Sequence, residues 1–164
     1  MLLLYLIITY LVGSIPFGLL LSMKVFSQDI RKYGSKNIGA TNITRTYGIK
    51  FGVVILVLDV LKGIIPVAIS NYLLGYSIET SCLFALSSVI GHIFPIYLRF
   101  SGGKGVATAL GGLMVINAPI ALAGVCVWLG IYIIFRISSV ASLMGAFFVL
   151  IFSIIFLHMP IYSI

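Results

Sequence analysis

Apolar residues run almost unbroken from Leu2 to Met23, and the first dense polar stretch fills Lys24 to Lys50. Apolar runs then return at Phe51–Leu74, Thr80–Leu98, Gly105–Phe135 and Leu143–Met159, with short polar breaks between them. A run of about 20 apolar residues is what crosses the hydrocarbon core of a bilayer. The pattern therefore predicts an all-α, polytopic membrane helix bundle. The run from Gly105 to Phe135 is too long for one comfortable crossing at about 1.5 Å of rise per residue. Asn117-Ala118-Pro119 lies near its middle, and proline suits a turn or a first helical position. Splitting there gives about six spans, near 2–23, 51–74, 80–98, 105–117, 119–135 and 143–159, in a single integral membrane domain over residues 1–164.

Composition agrees: the chain is 62% hydrophobic and 8% charged, with a formal net charge of +7 and a mean hydropathy of +1.26. Such a charge suggests a nucleic-acid partner when it forms a basic surface. Here the basic residues sit almost entirely in three short segments between apolar runs, which excludes that footprint. Lys24, Arg31, Lys32, Lys36, Arg45 and Lys50 fall in the first loop, Arg99 and Lys104 in the second, and Arg136 in the third. With six spans all of them lie on one face, and the opposite face carries Glu79 without a basic residue. The positive-inside rule then makes the three loops cytoplasmic and both chain ends external. Were Gly105–Phe135 one tilted span, Arg136 would be external instead. The opening MLLLYLIITYLVGSIPFGLLL lacks a basic leading region and a small-residue cleavage site, so it reads as a retained first span. Cys82 and Cys126 each sit inside an apolar run and read as small hydrophobes, with no spacing for a metal or a redox pair.

Two loops carry candidate chemistry. YGSKNIGATNITRTYG, Tyr33–Gly48, is dense in small residues, hydroxyls and amides and contains Arg45. RFSGGKGVAT, Arg99–Thr108, leads into a helix at about Val106. Glycines let backbone approach a ligand, and amides at a helix start form an anion cradle. Lys104 adds a mobile charge and Arg45 a planar fork for phosphate oxygens. Each loop alone is equally well a turn whose cations set topology; the two together on one face favour phosphate binding. GGKGVAT lacks the spacing of a nucleotide-binding Walker loop. FRISSVAS, with Ser138, Ser139 and Ser142, lies on the same face. Asp59 and Lys62, three apart on one helix face, read as an internal ion pair, since an unpaired charge at mid-bilayer costs ~2.5–3.5 kcal/mol on insertion scales. His92 reads as structural, and His158 lies near the outer end of the last span, across the membrane from the phosphate loops.

GSKNIGATNITR (Gly34–Arg45), DVLKG (Asp59–Gly63), GHIFPIYLRFSGGKGVAT (Gly91–Thr108) and the N-terminal GSIPFG closely resemble the bacterial acyl-phosphate:glycerol-3-phosphate acyltransferase family, the PlsY type. The resemblance runs from about residue 10 to residue 143. It implies a multi-pass enzyme of the bacterial inner membrane, facing the cytoplasm, that moves an acyl group from acyl phosphate to the 1-hydroxyl of sn-glycerol 3-phosphate. The products are lysophosphatidic acid and phosphate. By the same resemblance Ser35, Arg45 and Lys104 hold the glycerol phosphate as the catalytic set. Asn37, Gly39, Ala40, Thr41, Gly102, Gly103, Gly105 and Ser142 line the acyl-phosphate pocket. No cofactor and no metal are implied; the partners are the two substrates, membrane lipid and the soluble enzyme that makes acyl phosphate. The family continues into a further span and a polar stretch of His, Asn and Arg residues, which the ending HMPIYSI does not resemble; the chain reads as either a shortened form or a variant that manages without that element. The alternatives are a non-catalytic carrier of an organic phosphate and an inactive remnant of the enzyme. Polar residues crowding one face, with no internal repeat, favour the enzyme over a carrier.

Overall fold

The computed structural model describes residues 1–157, so His158 and its placement lie outside the described residues. The described residues are helical and irregular, without strand. The helices are α1 (Leu2–Gly13), α2 (Phe17–Phe26), α3 (Ala40–Tyr47), α4 (Ile49–Ala68), α5 (Ile78–Ile93), α6 (Val106–Ile116), α7 (Ala118–Phe135) and α8 (Ser138–Leu157). Five helical segments are long and apolar enough to cross a membrane: Leu2–Phe26, Ile49–Leu73, Ile78–Leu98, Ala118–Phe135 and Ser138–Ile155. The remaining apolar helix, α6, has 11 residues, roughly half of what a full crossing requires. Six expected crossings thus become five long segments and one short helix.

The chain divides into two compact units, Met1–Ile116 and Asn117–Ile164, where the hydropathy pattern suggested one domain. In the second unit α7 and α8 pack on each other. Asn117 opens α7 by accepting from the Ile120 amide at 3.1 Å, with Pro119 in the first turn. The last helix starts at Ser138, five residues before the expected Leu143. Its serines do not break it because Ser142 Oγ returns its hydrogen to the Ser138 carbonyl at 2.8 Å, a local bond that helices tolerate.

Within the first unit, close helix contact comes from small residues, as expected where lipid removes the hydrophobic drive between helices. A Cβ on Gly63 of α4 would collide with the Thr108 carbonyl of α6, and one on Gly111 of α6 with the Val60 carbonyl of α4. Gly13 of α1 meets the Ser88 backbone of α5 in the same way.

Two backbone faults inside the apolar layer are repaired by side chains. Pro66 in α4 has no N–H, which leaves the Lys62 carbonyl without its usual donor; Ser88 Oγ of α5 donates to that carbonyl at 2.7 Å. The first span is not continuous either. It breaks at Ser14-Ile15-Pro16 between α1 and α2, and Lys62 Nζ donates to the Ile15 carbonyl at 3.0 Å. A broken helix at membrane depth requires such a partner, and a cation at the C-terminal end of α1 also suits the helix dipole.

At the loop end of this unit Leu19, Ile30, Ile38, Ile43 and Ile55 form a buried cluster, with Ala40 and Leu98 packed against it. Leu98 directly precedes the second polar loop. The cluster thereby seats both polar loops at one end of the first unit.

Candidate anion-binding site

The first loop is shaped from within. Asp29 caps a short 3-10 turn, Ile30–Lys32, by accepting from the Arg31 amide, and it pairs with the Arg31 guanidinium at 2.7 Å. That bond holds the Asp29 carboxyl below the usual carboxylate range and already uses the Arg31 charge. Beyond the turn the chain bends back at Gly34, φ 54°, and Lys36, φ 60°. A Cβ on Gly34 would run into Asn42 Oδ1, so glycine is required there twice over.

Asn42 is the clasp of this loop. Its side chain is buried; Oδ1 accepts from the Ser35 amide at 2.9 Å, while Nδ2 donates to the carbonyls of Asn37 at 2.8 Å and Tyr33 at 3.1 Å. Asn37 Oδ1 accepts in turn from the Gly39 amide at 2.9 Å. Gly39, in extended conformation, leads into α3, whose first bonds run from the Asn42 and Ile43 amides to the Gly39 carbonyl. The Ala40 N–H at the helix start has no acceptor within the helix. Ser35 and Arg45 are exposed on this frame, and Asn37, Gly39 and Ala40 are half-buried.

Asn42→Asp is expected to open the loop, because it removes the donors to Asn37 and Tyr33 and sets a buried charge against their carbonyls. Leaving such groups unsatisfied costs about 2 kcal/mol or more, equivalent to roughly 30-fold faster tryptic cleavage at Lys32 and Lys36. Cleavage at the wild-type rate would show that the clasp is dispensable.

The second loop differs from its sequence-based expectation. Gly102 N–H donates to the Ile93 carbonyl and Gly103 N–H to the His92 carbonyl, both at 3.0 Å. These two amides finish the C-terminal end of α5 and are not donors for an anion. Both glycines are there for contact: a Cβ on Gly102 would strike the His92 carbonyl and one on Gly103 the His92 ring. The donors that remain lie at the start of α6, whose first backbone bond runs from Ala109 N–H to the Gly105 carbonyl at 2.8 Å; the amides before it have no acceptor within the helix. Gly105, φ 76°, makes the turn into it. Arg99 and Lys104 are exposed on either side of the glycines.

Arg45, Arg99 and Lys104 make no ion pair among the described residues, and the only carboxylate in either polar loop, Asp29, is committed to Arg31. The expected glycerol-phosphate residues Ser35, Arg45 and Lys104 therefore stand at one end of the first unit. Ser142 belongs to the second unit, where its hydroxyl accepts from Trp128 Nε1 at 3.1 Å.

Beneath the loops lies a buried polar chain. Lys62 Nζ sits 3.0 Å from Asp59 Oδ1, and His92 Nδ1 lies 3.7 Å from the same oxygen and 3.3 Å from Thr108 Oγ1. Sequence reading reached Asp59, Lys62 and His92. It missed Asn42 as the loop clasp, Thr108, Ser88 and the Ile15 carbonyl. A signal existed for Asn42 alone, a poor helix former inside a helical segment.

The fold and the loops define a multi-pass membrane protein that presents a cationic, amide-rich surface for phosphate-bearing substrates. Residues 3–164 match the family described as "Glycerol-3-phosphate acyltransferase", and the chain belongs to that family. Curated relatives of that name include one from Myxococcus xanthus, 47% identical over 82% of this chain and 70% of its own. Another, from Wolbachia pipientis, is 48% identical over 84% and 72%. The crystal structure of PlsY (YgiH), an integral membrane glycerol 3-phosphate acyltransferase, in its glycerol 3-phosphate form is similar with a TM-score of 0.85 and 40% identity over 94% of this chain and 76% of that one. Its lysophosphatidic acid form gives 0.82 and 38% over the same shares. The rival reading, a phosphate carrier or an inactive remnant, is not favoured by these relatives.

Proposed function

We propose that this chain transfers a fatty acyl group from acyl phosphate to the 1-hydroxyl of sn-glycerol 3-phosphate, at the cytoplasmic face of a bacterial plasma membrane. The observation that carries the reading is the seating of two cationic loops on one apolar cluster through Ile38, Ala40, Ile43 and Leu98. Two phosphate-bearing substrates need two sets of donors close together, and this arrangement supplies them.

Arg45 and Lys104 hold the phosphate of the acceptor, with Ser35 beside its hydroxyl. The acyl phosphate lies over the half-buried backbone of Asn37, Gly39 and Ala40, with Thr41 in the first turn of α3 and the α6 start at Gly105. Gly102 and Gly103 contribute the path of the loop. The hydroxyl oxygen attacks the acyl carbon, a C–O bond forms, and the bond from that carbon to the phosphate oxygen breaks. The hydroxyl proton passes to a phosphate oxygen, with Ser35 as relay, and inorganic phosphate leaves. Acyl phosphate is already activated, so positioning and charge stabilisation provide the catalysis and no covalent nucleophile is needed. The soluble enzyme that makes acyl phosphate is the expected partner at this face.

The test is direct. The purified chain in lipid, given acyl phosphate and glycerol 3-phosphate, is expected to yield lysophosphatidic acid and phosphate in equal amounts. Hydrolysis of acyl phosphate with no acyl-glycerol product would reject the transfer reaction.

A further inference from the structure

The buried polar chain beneath the loops has a direction that a simple brace would not need. It starts at the Ile15 carbonyl in the break between α1 and α2 and passes through Lys62 and Asp59 of α4 at 3.0 Å each. From there it reaches the imidazole of His92 on α5. One edge of that ring, Nδ1, is hydrogen-bonded to Thr108 Oγ1 at 3.3 Å, with Asp59 Oδ1 3.7 Å away. The other edge faces Gly103: the three atoms nearest to a Cβ built there are all in the His92 ring, Nε2 closest, then Cδ2 at 2.9 Å and Cε1 at 3.1 Å. Gly103 does not have a positive φ, so its backbone would accept alanine. The imidazole is the nearest obstacle to a side chain at that position.

We propose that His92 is a positioning residue for the cationic loop: its ring, bonded to Thr108, is the floor on which Gly103 rests and so fixes where Lys104 stands. The backbone agrees, since the His92 carbonyl also accepts the Gly103 amide. Ring and carbonyl of one residue thus hold the two sides of the residue before Lys104. The proposal rests on the acyltransfer reading for its kinetic test, with a second readout that does not.

Gly103→Ala is expected to press the loop off the ring and raise KM for glycerol 3-phosphate at least tenfold, with kcat changed less than threefold. His92→Asn keeps an amide near the Nδ1 position and removes the edge that faces the loop. In that background the alanine is expected to raise KM less than threefold, a non-additive result for residues in contact. His92→Ala serves as a second background should His92→Asn fail to fold, and melting temperature in detergent reports folding for each variant. The same tenfold effect in both backgrounds would overturn the proposal, as would a wild-type KM for Gly103→Ala. A residue that only braced the bundle would lower the melting temperature without moving KM. The modification rate of Lys104 by an amine reagent, with and without inorganic phosphate, follows the loop without turnover. Gly103→Ala is expected to shift that rate at least threefold in the wild-type background only. Absence of product from the wild-type chain would reject the acyltransfer reading, while the Lys104 rates would still decide the role of His92.

Discussion

Arg45→Ala is expected to lower kcat/KM for glycerol 3-phosphate by about two to three orders of magnitude, and Lys104→Ala by a similar factor. The magnitude is that of removing one preorganised donor from a reacting site, about 10²–10³-fold. Both cations are exposed and unpaired among the described residues, so little of the loss should come from folding. The melting temperature of each variant should stay within a few degrees of wild type, since surface substitutions usually cost under about 0.5 kcal/mol. Conservative exchange separates geometry from charge. Arg45→Lys keeps the charge and loses the planar fork, so it is expected to recover only part of the activity. Two alanine variants with wild-type kcat/KM would remove the loops from the reaction and leave their cations as topology signals.

Lys62→Met is expected to have the largest effect on stability, about 3–5 kcal/mol. Lys62 and Asp59 are both almost fully buried, and removing one partner of a buried pair leaves the other charge uncompensated. The substitution also removes the Lys62 bond to the Ile15 carbonyl in the broken helix, leaving that carbonyl the Phe17 amide at 3.1 Å. Loss of the pair as a whole costs less than loss of half of it, so Asp59→Asn combined with Lys62→Met should recover more than half of the stability. Lys24→Met, at an exposed position near the end of α2, is the control and should change little. Thermal unfolding in one detergent across the set gives the comparison. An equal cost for Lys62→Met with and without Asp59 would show that the two side chains do not act as a pair.

The parts of this protein that could be read in advance are those in which a local pattern meets a strong solvent constraint. Runs of apolar residues name the helices because a bilayer offers no partner to an open backbone. The break at Asn117-Ala118-Pro119 is local chemistry as well, a capping amide followed by proline. The break in the first span was not legible in the same way. GSIPFG carries a proline but no sign of which group would satisfy the freed carbonyl; that group is Lys62, 47 positions away. The serine near the start of the last helix is a related case. Ser142 looks like loop chemistry, yet its hydroxyl is satisfied within the helix and by Trp128.

The candidate site divides in the same manner. Glycines, hydroxyls and cations in two short stretches, taken together on one face, pointed to phosphate chemistry. Residue type did not say which amides would remain for a ligand. The Gly102 and Gly103 amides are bound to the end of α5, whereas the first amides of α6 have no acceptor within the helix. Asn42 looked like one polar residue among several and proves to hold Ser35 and Asn37 in place.

By itself the sequence determined the membrane class and the number of apolar spans to within one short helix, and it pointed to phosphate chemistry. Each follows from composition taken a few residues at a time, because hydropathy and charge act through solvent and need no particular neighbour. Tertiary structure alone decided which donors are spent and which are free, and what His92 faces. A hydrogen bond is set by the position of both partners, and here those partners lie on different helices.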